Sequence, residues 1–127
     1  MTTAQRKSHL VPEEVKPLIS AKRVDGTRVF NRAGEHIGDV DDVMINRRTG
    51  QVAFAIMSFG GWLGIGEKYH PLPWSMLDYD PAQEGYVIDI GREALERAPS
   101  YTRHELTGEH AWRERIFLYY GSGPSGA

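Results

Sequence analysis

Residues Val29 to Trp74 read VFNRAGEHIGDVDDVMINRRTGQVAFAIMSFGGWLGIGEKYHPLPW, and this stretch decides the fold. Short apolar runs are cut by Asn31-Arg32-Ala33-Gly34, by Arg47-Arg48-Thr49-Gly50 and by the glycine cluster Gly60 to Gly66. Such punctuation joins consecutive β-strands through tight turns. Strand one centres on Arg28 to Phe30, and Gly34 supplies the positive φ that its reversal needs. Strand two runs from about His36 to Ile45. Its inward candidates Ile37, Val40, Val43 and Ile45 break a strict period of two, because Asp41-Asp42 adds one residue between Val40 and Val43. A β-bulge there restores the facing and bends the strand. Strand three, Gln51 to Phe59, sets Val52, Phe54 and Ile56 on one face and Ala53, Ala55, Met57 and Phe59 on the other. Both faces are apolar, so one lines the sheet interior and the other needs a cover from elsewhere in the chain or from a second subunit.

Outward from this stretch the pattern continues. Strand four is expected at about Lys68 to Pro73, where Pro71 and Pro73 lack amide hydrogens and mark an edge or a ladder interruption. Strand five is expected over Trp74 to Tyr79 and strand six over Gly85 to Ile90. Gly91 to Ala98 has helix-forming composition with Pro99 as its stop. From Glu109 to Tyr120 the apolar spacing fits one helical face, although Ile116 to Tyr120 also reads as a strand. Upstream, Leu18, Ile19, Ala21 and Val24 form a lead-in before the turn Asp25-Gly26, and Pro12-Glu13-Glu14 suits a single helical turn. The organisation expected is a flexible arm over 1–16, a β-domain over 17–98, a docking segment over 99–120 and a flexible tail over 121–127.

Bulk composition bounds what such a chain does. Its 127 residues suffice for one domain with a modest core. The net charge of −2 lacks the basic excess that holds nucleic acid or anionic lipid, so nucleic acid is a disfavoured partner. Cysteine is absent, which removes disulfides and thiolate chemistry. The polar N-terminus has no apolar signal core, and no stretch reaches the length of a membrane span, so a cytoplasmic location is expected.

Several constellations invite chemistry and are weaker on inspection. Asp39, Asp41 and Asp42 beside Glu35 and His36 suggest oxygen ligands for a divalent cation, yet their spacing is not that of a calcium loop and a solvated acidic face is the simpler reading. The loop Gly60 to Gly66 with Glu67-Lys68 has glycines like a phosphate loop, but Pro71 follows where a helix would have to begin. The five histidines, His9, His36, His70, His104 and His110, show no pair at helical ligand spacing. Ser58, Ser75 and Ser100 lack a nucleophile-elbow context. No cofactor, metal or catalytic residue is therefore expected. Trp62, Leu63 and Ile65 on the glycine loop are either a recognition anchor or a lid folded over the sheet. Trp112, Ile116, Phe117, Tyr119 and Tyr120 either cover strand three within the chain or cross to a second subunit.

The order of motifs from Asn31-Arg32-Ala33-Gly34-Glu35-His36-Ile37-Gly38 through Val43-Met44-Ile45-Asn46, Thr49-Gly50, Val52 to Ile56, the glycine loop, Pro71-Leu72-Pro73-Trp74 and Tyr86-Val87-Ile88-Asp89 resembles the PRC-barrel family. The resemblance implies a mainly β fold, a small six-stranded antiparallel barrel, followed by a short helix and a helical or extended C-terminal segment. The family includes the cytoplasmic domain of the H subunit of purple-bacterial photosynthetic reaction centres and the C-terminal domain of a ribosome maturation factor. This chain looks most like the family's stand-alone bacterial members. The function expected is a non-enzymatic interaction or scaffold module, homodimeric and bound to a further protein partner, with Trp62, Leu63, Ile65, Trp112, Ile116, Phe117, Tyr119 and Tyr120 as contact residues. Two alternatives follow from the relatives: an RNA- or ribosome-associated assembly factor, which would need Arg23, Arg28, Arg32, Arg47 and Arg48 to gather on one face, and an accessory to photosynthetic electron transfer.

Overall fold

The computed structural model describes residues 18–59, 68–108 and 111–121. Its centre is a six-stranded sheet built from β1 (Arg28–Phe30), β2 (His36–Ile45), β3 (Val52–Phe59), β4 (Tyr69–Pro73), β5 (Asp78–Asp80) and β6 (Gly85–Val87). Among the described residues, four short helices stand around it: α1 (Ala21–Val24), α2 (Arg92–Glu96), α3 (Arg103–Thr107) and α4 (Trp112–Tyr120). The strands lie side by side in the order β4-β3-β2-β1-β6-β5.

Two hairpins carry the first three strands, and each is shaped by an asparagine side chain that replaces missing backbone partners. Asn31 Oδ1 accepts the amides of Ala33 and Glu35 at 3.0 and 2.9 Å while its Nδ2 donates to the Glu35 carboxylate at 2.7 Å. Gly34 closes that turn with φ 86°. In the second hairpin Asn46 Oδ1 accepts the amides of Arg48 and Thr49. Between the turns, the β2–β3 register shifts between Val40 and Asp42, the bulge that the Asp41-Asp42 insertion requires. A second shift between Met44 and Ile45 turns the end of the strand over, and Ile45 is 54% exposed rather than inward.

The sheet is mixed, which corrects the expectation of an all-antiparallel closed barrel. β1 pairs with β6 in parallel; the other ladders are antiparallel. The reason lies at Trp74–Met76, which form a 3-10 turn instead of the start of strand five. That corner does not reverse the chain. β4 and β5 consequently run in the same sense, and β6, folding back on β5, arrives parallel to β1. β4 and β5 are the two outer strands and share no ladder, so the sheet curls without closing, and the chain itself spans the seam from Pro73 to Asp78.

Both outer strands are poor templates for further pairing. Tyr69 exchanges two backbone bonds with Tyr101 at 2.8 and 2.9 Å, so its amide points away from β3. By the alternation of an antiparallel strand, positions 71 and 73 point the same way, and both are proline. The prolines thus sit where no ladder bond to β3 is lost. β5 is only three residues long and carries Asp78 and Asp80.

β3 separates two apolar clusters. Its inner face gives Ala55 and Met57 to a core with Val29, Ile37, Val40, Leu72, Tyr86, Ile88 and, from α2, Leu95. Its outer face gives Phe54 and Ile56 to a second core with Tyr69 of β4, Leu106 of α3 and Trp112, Ile116 and Phe117 of α4. The two-sided apolarity read from Val52 to Phe59 thus has its cause in this arrangement.

Candidate functional site

The outer face of β3 and β4, with the helices laid on it, holds Trp112, Ile116, Phe117 and Tyr120 of the expected contact residues. Thr102 starts α3 through a capping box: its hydroxyl accepts the Glu105 amide at 3.2 Å and the Glu105 carboxylate accepts the Thr102 amide at 2.8 Å. That amide bond, first among its causes, holds the Glu105 carboxyl below the usual carboxylate range. The capping box is visible in the sequence as Thr102-Arg103-His104-Glu105, and it marks a helix that periodicity alone misses. α3 is fastened to the sheet by Arg103, whose guanidinium donates to Asp41 and, at 3.2 Å, to the Tyr69 hydroxyl, and lies 4.7 Å from the centre of the Tyr69 ring. These bonds raise the Arg103 pKa further, the Asp41 bond most.

α4 follows and ends at Gly121, whose φ of 78° takes the left-handed conformation of a helix C-terminus. Trp112 meets Phe54 edge-on at 5.0 Å between ring centres, and Phe117 meets Phe54 at 5.3 Å. Ile116, four residues after Trp112, is fully buried. Trp112, Ile116 and Phe117 therefore fill this chain's own second core. Tyr120 is half-buried and packs against both cores, and burial raises its phenol pKa. Tyr119 is 40% exposed and donates its hydroxyl to the Ala94 carbonyl at 2.5 Å, tying α4 to α2. Leu118 turns away from the sheet and is 79% exposed. Trp62, Leu63 and Ile65 lie outside the described residues. Leu106 and Tyr69, which complete the covered face, were not among the residues expected from sequence.

Where β4 meets the segment after α2, His70 is 5% exposed beside the Phe59 ring, 5.4 Å between centres. Burial pulls its pKa from 6.5 down to about 4, although a hydrogen bond to the Pro99 carbonyl opposes the shift. Its Nδ1 is buried with no hydrogen-bond partner among the described residues.

The acidic row is dispersed over separate partners. His36 Nε2 lies 2.9 Å from Asp39, Asp41 serves Arg103, and Asp42 accepts the amide of Val43. Among the described residues no three carboxylates or imidazoles converge as a cation site. A shallow groove of about 340 Å³ opens between the second hairpin and α3, where Arg47 and Arg103 stand over Met44, Ile56 and Leu106. Its lining holds Asp42 beside the two arginines, and Arg103 is also bonded to Asp41. The arginines named for an RNA face do not gather: Arg32 sits in the turn before β2, between Asp78 and Asp89 at 3.6 and 3.9 Å, whereas Arg47 and Arg48 follow its far end. A ten-residue strand separates its ends by up to roughly 30 Å.

The PRC-barrel domain profile matches residues 17–95, which is 79 of the 127 residues. The chain belongs to the PRC-barrel family. No curated protein matches it. The family match ends inside α2, so the PRC-barrel domain contains every strand of the sheet, while α3 and α4 lie beyond it. The apolar outer face of the PRC sheet is thus covered by chain that is not part of the matched domain. No described helix is long and apolar enough to cross a membrane.

Proposed function

We propose that this PRC-barrel protein is a non-enzymatic interaction or scaffold module that works as a homodimer. Family membership supports the first half, since the PRC barrel is generally a non-catalytic domain that mediates protein contacts. The observation that carries the reading is the apolar outer face of β3 and β4, two strands of the matched domain that bury Phe54, Ile56 and Tyr69 under helical chain from outside it. A sheet face of this kind is a surface made to be covered.

The dimer reading rests on α4. With Trp112, Ile116 and Phe117 turned inward, Leu118 still faces solvent, with Tyr119 at the helix flank. Association by strand addition is disfavoured at both sheet edges, by the prolines of β4 and by the like charges that two β5 strands would bring together. The helical side is the proposed contact between copies, and Trp62, Leu63 and Ile65 are proposed as part of the same contact. Light scattering across concentration tests this: a mass twice the 14.3 kDa of one chain is expected, reduced to one chain's mass by Leu118→Arg. A single-chain mass at all concentrations would refute the dimer.

The ribosome-associated and photosynthetic alternatives have no comparable support in the geometry. The dispersal of Arg32 from Arg47 and Arg48 weighs against a single RNA-binding face, and salt-insensitive behaviour toward RNA is expected.

A further inference from the structure

At the end of the second hairpin the outer face of the sheet stays open. β2 runs on to Ile45 while α3 stops at Thr107, and the groove of about 340 Å³ lies between them. The β2–β3 register sets its floor. Asp42 stands opposite Ile56 and Met44 opposite Phe54, and cross-strand partners share a face. Val43, between them, turns to the inner core. One wall is α3, where Arg103, Leu106 and Thr107, three and four residues apart, present one side of the helix. The hairpin itself supplies Arg47.

The charges of this groove are unequally answered. Arg103 gives Nη2 to Asp41 and to the Tyr69 hydroxyl, and Asp42 accepts the Val43 amide. Arg47 is exposed and has no ion pair among the described residues. The turn that carries it, Asn46 to Gln51, holds a second arginine, Arg48, and no acid. Along β2 the groove therefore passes from carboxylates at Asp41 and Asp42, over the half-buried Met44, to an unanswered guanidinium at the hairpin.

We propose that this groove binds a small organic carboxylate, whose head pairs with Arg47 and whose apolar body lies over Met44 and Leu106. A guanidinium presents parallel N–H donors that fit the two oxygens of a carboxylate. The volume falls at the small end of ligand sites, and a mainly apolar lining with a few charged groups is their usual composition. The Met44 thioether adapts to the shape of an aliphatic body and favours contact with an aromatic one. Asp41 and Asp42, at the other end, direct an anionic head toward the hairpin. The site goes beyond the interaction reading and does not depend on it, since the proposed dimer contact uses α4, whereas the groove is formed by β2, β3, the hairpin and α3.

The test titrates the full, isotope-labelled chain with phenylacetate at neutral pH and follows backbone amide shifts by NMR. Saturable shifts are expected at Met44, Arg47, Ile56 and Leu106, with α2 and β6 unmoved. Arg47→Ala, a change at an exposed side chain, should weaken binding roughly tenfold. Phenylacetamide, which keeps the shape and loses the charge, should bind roughly tenfold more weakly than the acid. Acetate, a head without a body, should give no saturable shift. The absence of saturable shifts at millimolar phenylacetate would overturn the site. So would equal binding by wild type and Arg47→Ala, or by acid and amide. Acetate binding as tightly as phenylacetate would reduce the site to a bare anion contact and overturn the ligand class. Shifts confined to α4 would place the ligand elsewhere and overturn the assignment. Light scattering on the ligand-free chain reports the proposed dimer separately, so failure of either claim leaves the other standing.

Discussion

His70 shows how a single burial choice sets the acid response of the protein. Its pKa is about 4 in the fold against 6.5 for an exposed imidazole, so between those values the unfolded chain binds the extra proton. Stability is therefore complete above about pH 6.5 and falls as the pH is lowered toward 4, by about 3 kcal/mol across the window. Urea unfolding at a series of pH values checks this, and His70→Phe should flatten the curve between pH 6.5 and 4.5. A wild-type midpoint that is constant over that range would contradict the assignment. Gly38 makes a second point at this scale. A Cβ there would stand 2.6 Å from the Ser58 carbonyl oxygen, which the β2–β3 ladder fixes in place, and 2.8 Å from Met57 Sδ. Gly38→Ala is expected to cost about 2 kcal/mol in chemical denaturation, within the range for overpacked sites.

At the scale of elements, the reading from sequence succeeded where turn chemistry brackets a strand. β2 spans His36–Ile45 as expected because Gly34 and Asn46 terminate it at both ends, and its bulge follows from one surplus residue. It failed where a strand-like run is bent by its context. Trp74 to Tyr79 alternates like a strand, yet its first three residues form a 3-10 corner, and the direction of β5 and β6 depends on that corner. No local pattern reports the direction of a strand relative to one 57 residues earlier, so the parallel β1–β6 pairing was not legible. Nor was Ile45, which a second register shift turns outward. α3 was missed although Thr102 and Glu105 spell its cap, because a five-residue helix offers no periodicity to detect. Loss of that cap in Thr102→Ala should cost about 1 kcal/mol, measured by thermal or chemical unfolding. Ile116→Ala removes a fully buried side chain from the middle of the cover and should cost about 3 kcal/mol by the same measurement.

For the whole molecule, the sequence made plain that β3 needs a cover on its second face, and that Trp112 to Tyr120 is chain of the right composition to provide it. Which chain provides it is a question of connection rather than composition, since the same aromatic anchors satisfy Phe54 from either side of a dimer axis. In the fold, the path through Pro99, the Tyr69–Tyr101 bridge and Arg103 on Asp41 brings α4 onto its own sheet. The molecule is then a PRC sheet with a stable interior, formed around Met57, Leu72 and Ile88, and an outer layer joined to it through different contacts. The two are expected to differ in stability, because the outer layer is joined to the sheet through contacts separate from those of the interior. Hydrogen exchange of the intact chain, followed residue by residue at neutral pH, tests this most directly. Amides of α4 should exchange as a group, at least tenfold faster than those of β2 and β3 and with little dependence on low concentrations of denaturant. Exchange of α4 together with β2 and β3, at one rate and with one denaturant dependence, would show a single inseparable unit and contradict the account.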